Sequence, residues 1–369
     1  MKLLIQHNHE QDEIAGVLTY INSIEPELNL RGIETQLIST KKITPKQWLQ
    51  AVASADIIHM NSNHLVFALF CKSLGKKIIL KYHYRFYLSI HSAYEPMSFL
   101  ERLKTELIYS LPKKNYPLKW KLHTAIKWVR LGTRLTTALL VERRTACSQF
   151  IADSNSLPWK VSTLYNPIVP QKYQNDKSLD DLSTPYSFVF VGRLTFDKGI
   201  DILLKAIKIV REGSEKFQVL IIGDGGEASV FKTMASDLGI SDCVKFLGKY
   251  SISQIFPLVR SALALIVPSR SQEAAGYVVL EASSVQTCSI VASVGGLPEV
   301  AGSDNLLFER ENFQELANAM KRCLDNPSEA IERGKLANQY VIENFSPGMI
   351  ADQLIAICRE LSSSFRVSS

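Results

Sequence analysis

Two glutamates eight positions apart, Glu273 and Glu281, sit in the run Pro268-Ser269-Arg-Ser-Gln-Glu273-Ala-Ala-Gly276-Tyr277-Val-Val-Leu-Glu281. An apolar strand pattern ends at Pro268-Ser269, and the loop that follows carries Glu273. Gly276 permits a tight turn, and a helix is expected to begin near Tyr277. Free backbone N–H groups at such a helix start can receive phosphate oxygens. Glu281, just over one turn into the helix, can accept hydrogen bonds from a pair of vicinal hydroxyls. Carboxylates at this spacing are by themselves ordinary surface charges. The strand, the Pro-Ser pair, the glycine and the helix around them make the spacing informative.

A second constellation is Phe190-Val-Gly192-Arg193-Leu-Thr-Phe-Asp-Lys198-Gly199, where a strand ends at Gly192 and leaves Arg193 and Lys198 at the sheet edge. Two cations at one site suit a diphosphate whose charge grows as a bond to it breaks. A lysine at a helix start opposes the helix dipole, which favours a functional reason for Lys198. Ile222-Gly223-Asp224-Gly225-Gly226-Glu227-Ala228 follows another strand and imitates a dinucleotide fingerprint. That fingerprint wants a carboxylate at the end of the next strand, yet the next strand pattern ends in Gly248-Lys249. A nicotinamide-dependent oxidoreductase is therefore the minor reading.

The elements that must hold these residues alternate strand with helix. Residues 3–6, 35–38, 57–59 and 78–82 read as the first strands, with helical patterns such as 17–30 and 65–74 between them. The rhythm restarts after a linker at 171–185, with strands at 188–191, 219–222, 244–247, 263–267 and 289–292. Such alternation predicts parallel sheets covered by helices on both faces. The expected fold class is α/β with two doubly wound domains, residues 1–170 and 186–345, facing each other across a cleft where ligands bind at strand ends. Residues 346–369 read as a helix packing back towards the first domain.

The composition is that of an ordinary globular protein: 369 residues, 46% apolar and 21% charged, with a net charge of +6. The charge is uneven, because residues 1–172 hold 23 Lys and Arg against 12 Asp and Glu, and the rest hold 19 against 24. A basic first half suggests an acidic partner. Six cysteines without CxxC spacing read as reduced thiols. No stretch approaches the ~20 apolar residues of a membrane span, and the short apolar N-terminus is not a signal peptide, so the cytoplasm is the expected compartment.

At these residues the chain resembles the retaining glycosyltransferases of GT-B fold, of the family 4 or group 1 type, whose hallmark is Glu, seven residues, and a second Glu. The resemblance implies that Glu281 holds the ribose of a nucleoside-diphosphate sugar and that Glu273 lies beside the transferred sugar. Backbone groups around Ala275, Gly276, Tyr277 and Val278 would meet the sugar and diphosphate, with Ala275 standing where the family has an aromatic. Arg193 and Lys198 would stabilise the departing diphosphate in place of a metal ion, and Gly223 and Lys249 would lie near the base. In the first domain, Gly16 is what remains of a glycine pair that approaches the donor phosphate, and His83 matches a strand-end histidine near the sugar. The implied donor is a UDP-sugar or GDP-sugar, used as substrate with no cofactor, no metal and no nucleic acid.

One segment interrupts the alternation. Residues 99–144 carry eleven Lys and Arg against three Glu, interleaved with Tyr109, Tyr116, Trp120 and Trp128. A helix mixing basic and aromatic residues can lie in the headgroup region of a bilayer, so an anionic membrane is an expected partner and peripheral attachment to the inner face of the plasma membrane follows. The expected acceptor is a lipid-linked saccharide or polysaccharide, as in capsule, exopolysaccharide or lipopolysaccharide assembly. A sugar-nucleotide epimerase on the same scaffold and a catalytically silent scaffold protein are the alternatives.

Overall fold

The computed structural model describes residues 1–10, 16–41, 44–87, 97–110, 118–171, 175–213 and 217–363, with the side chains of residues 45, 109–110 and 118–125 left aside. Expectations for residues 12–15, for linker residues 172–174 and for Lys113, Lys114 and Tyr116 fall outside the described residues, as do those for the side chains of Tyr109, Lys119, Trp120 and Lys121. The chain divides into two compact units, Met1–Pro167 with Pro347–Ser369, and Ile168–Ser346.

The first unit is built on a six-stranded parallel sheet of β1 (Lys2–His7), β2 (Glu34–Ser39), β3 (Ile57–Met60), β4 (Lys77–Tyr82), β5 (Arg143–Ala146) and β6 (Ser162–Thr163). Their spatial order is β2-β1-β3-β4-β5-β6. β3 is buried along its whole length, as a strand covered on both faces must be. The helix Gly16–Leu30 turns Val17, Tyr20, Ile21, Ile24 and Leu28 inward at helical spacing. Against them lie Ile350, Ala351, Leu354, Ile355, Cys358 and Leu361 of the helix Pro347–Ser363, so both ends of the chain share one core.

The second unit carries β7 (Tyr186–Val191), β8 (Phe217–Ile222), β9 (Val244–Gly248), β10 (Ala264–Val267), β11 (Cys288–Ala292) and β12 (Leu306–Phe308) in the order β12-β11-β10-β7-β8-β9, again all parallel. From β7 the chain winds outwards through β8 and β9, then returns to the other side of β7 for β10 and its successors. The strand order therefore reverses between β7 and β10 in this unit, and between β1 and β3 in the first. Ligands of open α/β sheets bind outside the strand C-termini at such a switch point.

Three strands were not anticipated: β5, β6 and β12. The two arginines of β5 also correct the reading of residues 99–144 as one continuous basic stretch. The segment consists of the helices Phe99–Ser110 and Leu118–Leu140, and Arg143 and Arg144 lie beyond them on the sheet. Several of its cations face inward. Arg102 is buried, Arg134 donates to the carbonyl of Phe86 at 2.5 Å, and the Arg144 guanidinium lies 5.0 Å over the Trp159 ring. All six cysteines are buried and none is in a disulfide. Among the described residues no helix is long and apolar enough to cross a membrane.

Candidate functional site

At the switch point of the second unit, the loops after β7, β8 and β10 meet through glycines that leave no room for a side chain. Gly223 has φ +137°, and a Cβ there would stand 1.8 Å from the Gly192 carbonyl oxygen. Gly225 is packed the same way against Leu194, whose N–H donates to the Asp224 carbonyl at 3.0 Å. The sequence Gly-Asp-Gly thus serves close backbone packing between neighbouring strand ends. On the other side, Gly199 at φ +72° presses on the carbonyl of Pro268, which follows β10.

That second contact brings Lys198 to Glu273. The Lys198 ammonium and one Glu273 carboxylate oxygen form an ion pair, and Ser269 Oγ donates to the same oxygen at 3.0 Å. Glu273 is fixed through its backbone as well, its carbonyl accepting from the Gly296 N–H at 2.8 Å. Arg270 clasps the two oxygens of Asp201 at 2.5 and 2.6 Å and tethers this loop to the helix Ile200–Gly213. Lys198 itself closes a single 3-10 turn, Phe196–Lys198, and Gly199 separates it from that helix. It therefore does not occupy a helix N-terminus as the sequence suggested, and the dipole argument for it falls away.

Arg193 stands apart. Its side chain is 72% exposed, with Asp197 Oδ2 at 3.8 Å as its neighbouring acid. A guanidinium so weakly engaged keeps its donors for a ligand. Lys249, after β9, is likewise exposed, with its ammonium 3.5 Å from Asp224.

The helix Tyr277–Ser284 starts where expected. Gly276 adopts left-handed backbone angles, φ 58° and ψ 45°, and no side chain caps the helix. A Cβ at Gly276 would run into Leu297 and Val300 at 2.8 Å, and Ala275 beside it is buried. One turn on, burial pushes the Glu281 carboxyl up to about 7. Among the described residues no hydrogen-bond donor reaches that carboxylate. A half-buried acid without partners is costly to keep ionised, and a ligand that brings hydroxyl donors offsets the cost.

The first unit presents its own switch-point site. A cavity of about 390 Å³ opens at the ends of β1, β3 and β4, with Asn61, Lys81 and His83 among its lining. His83 is 7% exposed, and its Nε2 lies 2.9 Å from Asn61 Oδ1. Burial holds its imidazole well below the usual histidine range, helped by Lys81 and His59, so the ring is neutral. Lys81 is buried too, with its Nζ 3.1 Å from the Tyr165 carbonyl and 3.4 Å above the Tyr20 ring. Gly16 opens the helix that contributes Val17 to the lining. Asn61 and Ser269 were not singled out from sequence for any role. Their signal was positional, each being a polar residue just beyond a buried strand.

Two doubly wound parallel sheets, one bearing paired cations and glutamates at its switch point, define a GT-B-fold protein. The profile described as "Glycosyl transferases group 1" matches residues 172–357, half of the chain. The chain belongs to that family, whose members are glycosyltransferases using nucleotide-sugar donors. Among its relatives, the 2-deoxystreptamine glucosyltransferase of Streptomyces kanamyceticus is 26% identical over 297 residues, which span 79% of this chain and 74% of that one. The D-inositol 3-phosphate glycosyltransferase of Corynebacterium aurimucosum is 31% identical over 173 residues, 45% of this chain and 41% of its own length. Among solved structures, Anabaena HepE in complex with UDP superposes with a TM-score of 0.69 at 18% identity, over 98% of this chain and all of that one.

Proposed function

We propose that this glycosyltransferase moves a sugar from a uridine or guanosine diphosphate to an acceptor hydroxyl with retention of the anomeric configuration and without a metal ion. The observation that carries the proposal is the meeting of Lys198, Glu273 and Ser269 at the ends of β7 and β10, with Arg193 exposed just after β7. In this reading the bond between the anomeric carbon and the diphosphate oxygen breaks while the acceptor oxygen bonds to the same face. The acceptor proton passes to the departing phosphate oxygen. Arg193 and Lys198 meet the growing negative charge as preorganised cations do. Glu273, already fixed by Ser269 and the Gly296 N–H, positions the sugar. Glu281 takes the two ribose hydroxyls, and its unpartnered, half-buried state supports that role. His83 and Gly16 would act from the first unit on the sugar and the diphosphate, and Gly223 and Lys249 beside the base. Complexes of HepE with UDP and with UDP-glucose favour the uridine form of the donor.

The acceptor in this reading is a membrane-borne or polymeric glycan, and the protein docks on anionic lipid through the helices Phe99–Ser110 and Leu118–Leu140. Exposed Leu100, Ile108, Trp128 and Val129 alongside exposed Lys104 support it, because apolar and basic side chains together favour an interfacial position.

The test is a thermal-shift panel with UDP-glucose, UDP-galactose, UDP-N-acetylglucosamine and GDP-mannose, followed by NMR of the product made from the best binder. An α-linked product from an α-linked donor is expected. Inversion, or no stabilisation by any nucleotide sugar, would overturn the proposal.

A further inference from the structure

The cavity of the first unit has a feature that donor chemistry does not use. Besides its neutral floor of His83 and Asn61, it is walled by Arg130 and Arg134 from one face of the helix Leu118–Leu140. Arg85 from the segment after β4 joins them. Among the described residues the lining contains neither Asp nor Glu. Glu106, whose field reaches Arg134, is buried and is not part of the wall. Arg130 is exposed and meets no acid among the described residues, whereas Arg134 is anchored by the Phe86 carbonyl at 2.5 Å. On the floor, the Nδ1 of His83 is buried with no partner among the described residues. A polar nitrogen left unsatisfied at the base of a cavity costs stability unless something entering the cavity bonds to it.

We infer that this cavity binds a phosphate group carried by the acceptor, with Arg130 and Arg134 gripping the oxyanion and Asn61 facing the sugar or polyol attached to it. The inference rests on the glycosyltransferase reading and adds the chemical class of its acceptor. Guanidinium groups on successive turns of one helix present planar donors to a tetrahedral oxyanion. Burial keeps His83 neutral and holds the Lys81 ammonium well below the usual lysine range, so the charge of the cavity rests on the guanidiniums of its wall. An uncharged glycan would leave Arg130 and Arg134 with nothing to neutralise. The group therefore selects among acceptors instead of merely attracting them.

The experiment uses the full chain saturated with UDP, titrated by calorimetry with inorganic phosphate, glucose 6-phosphate, glucose and dihexanoyl phosphatidate. UDP affinity is measured separately for every variant. Glucose 6-phosphate is expected to bind the UDP complex at least about tenfold more tightly than glucose does, the margin a charged hydrogen-bond partner supplies. Arg130→Gln should remove that margin while leaving UDP affinity unchanged, and Arg134→Lys should reduce it in part. Tighter binding of phosphatidate than of glucose 6-phosphate would place the phosphate on a lipid, and the reverse on a sugar; either supports the inference. Equal binding of glucose and glucose 6-phosphate, or a margin unaffected by Arg130→Gln, would overturn it. So would competition between phosphate and UDP, since the cavity would then belong to the donor. Failure of UDP itself to bind would overturn the donor reading, and with it the assignment of the phosphate to an acceptor.

Discussion

Gly199 and Pro268 touch backbone to backbone: a Cβ on the glycine would stand 1.9 Å from the proline carbonyl oxygen, at a φ of +72°. The contact joins the strand ends on either side of the switch point. It is what allows Lys198 and Glu273, seventy-five positions apart, to form their ion pair. Gly199→Ala should therefore destabilise the second unit by about 2 kcal/mol or more, through backbone strain and steric overlap together. At roughly 2–4 °C per kcal/mol for a unit of this size, the melting temperature should fall several degrees. Gly226→Ala, where a Cβ meets nothing within 4 Å, is the control and should leave it unchanged. Equal melting of the two variants would refute the packing argument.

The two glutamates should fail differently. Glu281→Gln is expected to weaken UDP binding, and Glu273→Gln chiefly to slow turnover, each by roughly ten- to hundredfold, the loss of a charged hydrogen-bond partner being about 1.5–3 kcal/mol. Isothermal titration with UDP and a coupled UDP-release assay separate the effects. Parental behaviour in both variants would remove these residues from the site.

UDP affinity should also depend on pH in a direction set by Glu281. Only the ionised carboxylate accepts both ribose hydroxyls, and burial has raised this group to about 7 in the free protein. As pH rises from 6 to 8 the ionised fraction of the free protein grows, so binding should tighten across that window. Binding favours the ionised form, so a proton is released to the buffer on association below neutrality. Glu281→Gln should flatten the profile. A profile of the same slope in that variant would assign the titration elsewhere.

Arg193→Gln and Lys198→Gln are expected to slow transfer at saturating donor, because their charges meet one that develops as the leaving group departs. EDTA should leave the parent rate unchanged. A rate abolished by chelator and restored by magnesium or manganese would transfer the role to a metal ion.

Membrane docking makes a salt-dependent claim. Flotation with anionic vesicles should exceed that with neutral ones and fade as salt screens the attraction. Lys104→Gln combined with Lys127→Gln should lower recovery without changing UDP affinity. Equal recovery from both vesicle types would dismiss the attachment.

The central strands of both sheets were legible because buried parallel strands read as continuous apolar runs, as Ile221-Ile222 and Leu265-Ile266-Val267 do. The turn into the helix at Tyr277 was legible from Gly276. β5 was not, since Arg143-Arg144-Thr145-Ala146 has only two residues turned fully inward. Arg102 and Arg134 read as part of a basic segment facing lipid headgroups because nothing local announces the carbonyls and rings that receive them. The link from Lys198 to Glu273 exists only in the folded unit. The Gly-Asp-Gly turn was visible as a pattern, but its close approach to Gly192 and Leu194 needed the neighbouring loop in place.

The helix Pro347–Ser363 closes the core begun by β1 and the helix Gly16–Leu30, and this dictates an order of events during synthesis. The second unit has all its strands once residue 346 has left the ribosome. The first, although begun earlier, must wait for residues 350–361. Throughout that interval the core around Ile21, Ile24 and Leu28 lacks the apolar face that Ile350, Leu354 and Ile355 supply, so the half made first is the half finished last.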